Sequence, residues 1–169
     1  HKSRYEAYLN WVNFSNDKEW ERVIDQPKFQ GLLALKPVSV FMESTDFSSL
    51  VRNKIKKVGG VYELRTYVTK PNKLKLLKDR FSQSAASIFN EHKMKNIFYW
   101  TAFEEPQSRN TLINLLHHSS REQADLNWKS FSDDPNWKKV LLNSQTIESL
   151  LEEPPESIYL KPMEFSPLN

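Results

Sequence analysis

A shift of 117 positions, carrying Arg4 onto Arg121, superposes one stretch of this chain on another. His1, Ser3, Arg4, Ala7, Leu9, Asn10, Trp11, Phe14, Ser15, Asp17, Trp20 and Val23 fall on His118, Ser120, Arg121, Ala124, Leu126, Asn127, Trp128, Phe131, Ser132, Asp134, Trp137 and Val140. With one inserted residue the match resumes at Phe41, Phe47, Ser48 and Leu50, which face Tyr159, Phe165, Ser166 and Leu168. Two matched tryptophan pairs in one register mark the duplication of a whole fold unit rather than of a short motif. The segment from about Val61 to Leu116 precedes the second copy and has no counterpart before the first. Since His1 falls inside the matched region and no initiator Met precedes it, the half copy is expected to be a truncated or processed unit, or to complete itself against another chain.

Hydrophobic residues at 38% and aromatic residues at 12% are enough for a folded core. Lys and Arg number 24 against 21 Asp and Glu, so the net charge of +3 arises from intermixed signs and gives only a weak attraction to anionic surfaces. The absence of Cys excludes disulfides, thiolate catalysis and thiolate metal sites. The apolar runs at 31–35 and 97–103 are far shorter than the roughly 20 residues that span a bilayer.

Ala7, Trp11 and Phe14 form a stripe suited to one helix face, and Asp17 caps a second helix carrying Trp20, Val23 and Ile24. Val38 to Glu43 reads as a strand. Alternation over Val61 to Val68 predicts a half-buried strand, and Pro71 predicts the first turn of a helix with Leu74, Leu77, Phe81, Ala85 and Ile88 on its apolar face. Asn96 to Phe103 and Asn110 to His117 predict a hairpin across the turn at 104–109. A helical region opens with capping-box spacing over Ser119 to Glu122 and restarts at Asp134-Pro135, and a last strand follows over Ser157 to Lys161. Strand, helix, strand, strand, helix, strand is the ferredoxin-like order. The predicted fold is therefore α+β, with two such sheets packing face to face as a dimeric α+β barrel. Residues 1–50 are the C-terminal half of a first ferredoxin-like repeat, 51–60 a basic linker, and 61–169 a complete second repeat.

Val61-Tyr62-Glu63-Leu64-Arg65-Thr66-Tyr67 followed by Lys70-Pro71, the strand Phe98-Tyr99-Trp100, Asp134-Pro135-Asn136-Trp137 and the ending Phe165-Ser166-Pro167-Leu168 together resemble the NIPSNAP family. The resemblance implies a duplicated dimeric α+β barrel, a mitochondrial location, and roles in mitophagy signalling and vesicle-related interactions without an established reaction. On that resemblance the chain is expected to be a non-enzymatic interaction scaffold or adaptor, or an accessory subunit of a larger mitochondrial assembly. The expected partners are other proteins, including a large complex or further copies of the chain. The alternative is a small-molecule-binding or monooxygenase-like enzyme that uses the barrel interior.

Glu63, Arg65 and Tyr67 share one strand face, so they meet solvent or line the interior between two sheets; with Trp100 they are the candidate ligand-pocket residues. The bland account of the Glu63 and Arg65 pair is a salt bridge at the seam between sheets. Arg52, Lys54, Lys56 and Lys57 are candidates for weak contact with an anionic membrane, the competing account being a solvated linker; no aromatic motif accompanies them, and no nucleic-acid partner is expected. His117 and His118 are adjacent on a strand and point to opposite faces, so no metal site is expected. Three Gly provide neither a nucleophile elbow nor a phosphate loop, so no catalytic residue is assigned and no cofactor is expected. The repetition of Trp11, Trp20, Trp128 and Trp137 at helical positions marks them as core or inter-copy packing residues rather than a stacking platform.

Overall fold

Ser3 and Asp17 open the first two helices by accepting backbone N–H groups that have no partner within a helix. In a computed structural model describing residues 1–29, 31, 37–51, 59–143 and 150–166, the chain divides into two compact units, His1–Ser39 and Val40–Asn169. In the first, α1 (Arg4–Ser15) starts where Ser3 Oγ accepts from the Glu6 N–H at 3.0 Å. The second helix, α2 (Lys18–Ile24), starts where Asp17 Oδ1 accepts from the Trp20 N–H at 2.9 Å. Phe14 joins the two helices, meeting Trp11 edge-on at 5.9 Å and Trp20 at 4.7 Å.

The four repeated tryptophans differ in burial. Trp137 is 6% exposed and Trp128 packs on the core, but Trp11 is 53% and Trp20 37% exposed. Trp128 and Trp137 share one core with Phe81 and Phe89 of the segment between Val61 and His118.

The second unit is built on one antiparallel sheet. Its strands are β1 (Met42–Ser44), β2 (Val61–Val68), β3 (Lys95–Ala102), β4 (Thr111–His118) and β5 (Glu156–Leu160), in the spatial order β1-β3-β4-β2-β5. The four strands from β2 to β5 have the ferredoxin-like arrangement, and β1 extends the β3 edge. Residues from Val40 onward, up to position 50 assigned by the repeat to the first half copy, fall in the second unit, and Met42–Ser44 among them pair with β3. The expected strand over Val38 to Glu43 begins only at Met42: Val38 and Val40 are 89% and 59% exposed, and β-propensity without a ladder partner does not make a strand. Past β1, Thr45 N–H donates to the Tyr99 carbonyl at 3.0 Å, and Ser48 Oγ accepts from the Tyr99 N–H at 2.9 Å.

Gly60 sets the entry to β2. Its φ of +81° suits glycine, and a Cβ there would lie 2.3 Å from the His118 carbonyl oxygen. This close approach starts the β2–β4 ladder at Val61↔His118.

One face of the sheet carries the helices. α3 (Leu74–Arg80), a π-helical turn (Phe81–Ala85) and α4 (Ala86–Glu91) follow one another, and α5 (Arg121–Asp133) and α6 (Pro135–Asn143) form the second pair. Pro71 lies in the turn before α3 rather than in its first turn, beside Asn72 at φ 63°. The cap of α5 is Ser120, which accepts from the Gln123 N–H at 3.1 Å, one residue later than the spacing of Ser119 and Glu122 predicts. Between helices and sheet, Tyr67, Leu77, Phe81, Phe89, Tyr99, Leu112, Leu116, Phe131 and Trp137 form the main core. Burying each such side chain stabilises the fold by roughly 1.5–3 kcal/mol before entropy is counted. On the other face Tyr62, Ile97 and Leu115 are buried, with Leu64, Phe98 and Trp100 packed against them.

Candidate functional site

Alternation along β2 sends Glu63, Arg65 and Tyr67 toward the helices and Tyr62 and Leu64 to the opposite face. The first three therefore lie between sheet and helices, which corrects the expectation that they meet solvent or another sheet. A charged pair sits here because the surrounding elements supply donors for every lone pair of the carboxylate that needs one.

Glu63 is fully buried and accepts four hydrogen bonds. Trp128 Nε1–H from α5 donates to Oε2 at 2.8 Å, and His118 Nε2–H from the end of β4 donates to the same oxygen at 2.9 Å. Arg65 donates to Oε1 at 2.7 Å, and so does Ser157 Oγ–H on β5 at 2.7 Å. The imidazole of His118 must carry its proton on Nε2, since an ionised carboxylate only accepts. Arg65 also donates from Nε to the Tyr67 hydroxyl oxygen at 2.8 Å and lies over the Trp128 ring at 4.1 Å. One carboxylate thus fastens β2 to β4, β5 and α5.

Burial pushes the Glu63 carboxyl up, but the His118 hydrogen bond, the Arg65 charge and the Arg65 and Ser157 hydrogen bonds outweigh it and bring it down to about 2 from an ordinary 4.5. Burial raises the Tyr67 hydroxyl against the opposing Arg65 charge. A carboxyl held low in the folded state stabilises the fold above its ordinary value and loses that contribution as pH falls toward the folded value. The window is therefore from 4.5 down to about 2, and the difference corresponds to about 3 kcal/mol. Denaturant titrations from about pH 6 to about pH 2.5 are expected to show this loss, and Glu63→Gln is expected to remove its share of the slope; an unchanged slope in the variant would contradict the assignment.

Beside this cluster is a cavity of about 200 Å³ lined by Arg65, Tyr67, Arg80, Phe81, Trp128 and Trp137, among others. The π-helical turn, in which Ala86 N–H reaches the Phe81 carbonyl, begins directly after Arg80 and places both Arg80 and Phe81 in its wall. Burial lowers the Arg80 guanidinium from its ordinary value.

Of the four candidate pocket residues, three are brought together and one is not. Trp100 pairs with Ile113 across the strands and stacks on Phe98 at 5.1 Å, on the sheet face away from Glu63. The basic candidates Arg52, Lys54, Lys56 and Lys57 lie outside the described residues. His117 and His118 do diverge: His117 Nε2 bonds to the Gly59 carbonyl at 2.8 Å while His118 turns to Glu63. Among the described residues no group of acidic and histidine side chains is placed to hold a metal, and no helix is long and apolar enough to cross a membrane. Sequence reasoning missed Trp128, His118 and Ser157 as partners of Glu63. A signal was available for two of them, because His1 and Trp11 repeat as His118 and Trp128 in one register while Glu63 has no repeated counterpart.

The cluster falls within the part of the chain that known proteins share. The NIPSNAP family model matches residues 62–167, from the start of β2 past the end of β5. A NIPSNAP family protein of unknown function from Agrobacterium tumefaciens is 24% identical with a TM-score of 0.56, covering 68% of this chain and 97% of its own. An uncharacterized NIPSNAP-like domain protein from Burkholderia xenovorans is 22% identical with a TM-score of 0.54, covering 63% of this chain and 87% of its own. Comparison with curated proteins gives no match. At these identities the solved structures share the fold, and the family match spans more than half of the residues; the chain belongs to the NIPSNAP family.

Proposed function

We propose that this protein is a non-enzymatic interaction scaffold, an adaptor or accessory subunit that binds other proteins through the aromatic face of its first helical pair, in the mitochondrial setting the family resemblance implies. The observation that carries the reading is the exposure of Tyr8, Trp11, Phe14 and Trp20, at 59, 53, 44 and 37%, on α1 and α2. Exposed apolar patches of this kind mark protein interaction sites, and aromatic residues are the side chains that dominate such interfaces. Native mass spectrometry of the protein purified gently from its source tests it. Protein partners that are retained by the natural chain and lost from Trp11→Ala with Phe14→Ala are expected; a partner-free chain, or an assembly indifferent to that double substitution, would defeat the reading. Imaging of the tagged full-length protein checks the location, and a signal outside mitochondria would remove that part.

The cavity beside Arg65, Tyr67 and Trp128 favours a second reading, a small-molecule-binding protein or enzyme. The pocket it would use lies between sheet and helices rather than inside a barrel. A small molecule retained in stoichiometric amount, and lost with Arg65→Met, would move this reading to first place.

A further inference from the structure

We infer, resting on the small-molecule reading above, that the cavity between β2 and the helices binds a small aromatic carboxylate, with the carboxylate on Arg65 and Tyr67 and the ring among the aromatic walls.

Two residues of the cavity wall keep donors that nothing in the described chain uses. Arg65 donates from Nε to the Tyr67 oxygen at 2.8 Å and from Nη1 to Glu63 and Ser157, each at 2.7 Å, and among the described residues no atom accepts from Nη2. Tyr67 accepts that Nε–H, but among the described residues no atom accepts its own hydroxyl proton. It is 4% exposed, and a buried donor without an acceptor is costly. Burial raises the hydroxyl above its ordinary value, so the proton is present at neutral pH. Because Nε and Nη2 share one edge of a guanidinium, the Tyr67 oxygen held on Nε stands beside Nη2. A single carboxylate at that edge accepts from both groups. Glu63 and Ser157 on one side and the Trp128 ring at 4.1 Å on the other hold the guanidinium in place, so binding requires little further ordering.

The rest of the wall sets the body of the ligand. At about 200 Å³ the cavity is smaller than the roughly 300–1,000 Å³ of pockets for drug-sized molecules. One ring fits, since an apolar cavity of about 150 Å³ already holds a benzene molecule. Flat apolar sides come from Phe81, edge-on to Tyr67 at 5.2 Å, and from Phe131 packed on Trp137 at 4.6 Å. Arg80, 4% exposed, brings a second guanidinium to the wall, and no described lining residue is Asp or Glu. Donors and aromatic rings without a lining carboxylate favour an anion that carries a ring over a cation or a sugar. The nearby Glu63 carboxylate is already occupied by Trp128, His118, Arg65 and Ser157. The π-helical turn that sets Arg80 and Phe81 side by side in this wall is a departure from helical regularity of the kind found at functional sites.

The test titrates the chain with benzoate and, separately, with benzamide at constant ionic strength, and follows the indole N–H signals of Trp128 and Trp137 by nitrogen-labelled NMR. Saturable shifts at both indoles with benzoate, and binding at least about tenfold weaker for the neutral amide, are expected. Tyr67→Phe keeps the ring and should remove most of that preference. Ser132→Phe, at an exposed position on the edge of the cavity, should abolish binding of both probes while leaving Arg65 and Tyr67 untouched; far-UV circular dichroism confirms that each variant folds. Equal binding of benzoate and benzamide would overturn the carboxylate assignment and leave the small-molecule reading standing, as would a natively retained molecule without an acid group. Unmoved indole signals, or benzoate shifts that persist in both variants, would overturn the inference outright. If in addition no small molecule is retained by the natural chain, the small-molecule reading falls with it.

Discussion

Glu63→Ala is expected to lower the stability of the Val40–Asn169 unit by about 3–5 kcal/mol, the cost typical of removing one partner from a buried charge pair. The loss has an identifiable source. The substitution leaves the Arg65 guanidinium and the donors of Trp128, His118 and Ser157 facing a void where they faced a carboxylate. Arg65→Met should cost less, because the indole, imidazole and hydroxyl still satisfy Glu63 and only the charge partner is gone. Glu63→Gln should fall between neutral and Ala, since one carbonyl oxygen remains to accept. Chemical denaturation followed by far-UV circular dichroism measures all three; a Glu63→Ala chain as stable as the parent would show that the cluster holds nothing together.

The second large effect is a contrast between repeated positions. Phe131→Ala is expected to cost about 3–5 kcal/mol, because a nearly buried ring leaves a cavity among Phe89, Trp128 and Trp137. Phe14→Ala removes the same ring from the same local geometry, but from a site 44% exposed, and is expected to cost about 1 kcal/mol or less, the worth of its aromatic pairings. Backbone amide exchange, read separately for α1–α2 and for α5–α6, resolves the two costs. Equal costs would mean that the first helical pair has a covered face after all.

The ferredoxin-like order was legible because each strand carries a periodicity of its own. The alternation over Val61 to Val68 and the two hairpin strands survive as β2, β3 and β4. Elements whose limits depend on a neighbour were less legible: β1 is confined to Met42–Ser44 because its ladder exists only where β3 runs beside it. The extra residue of the π-helical turn breaks the period of 3.6 between Leu77 and Ile88, and nothing local announces it.

The candidate site was half legible. Period two places Glu63, Arg65 and Tyr67 on one face, but which layer covers that face is a tertiary fact: here it is the helices. Trp100 lies on a different strand, and its position on β3 sends it to the opposite side. The tryptophan repeat revealed the helical pairs but not their burial, since identical local sequence fixes caps and ring contacts while a distant segment fixes exposure.

The most direct test of this account is hydrogen exchange at the five indole N–H groups, resolved by nitrogen-labelled NMR of the intact chain. The account predicts strong protection at Trp128, whose N–H is held by the buried Glu63, and rapid exchange at Trp11, its counterpart in the first repeat. Trp11 exchanging as slowly as Trp128, or Trp128 as fast as Trp11, would contradict the claim that one repeated helical pair is core and the other is a face open for binding.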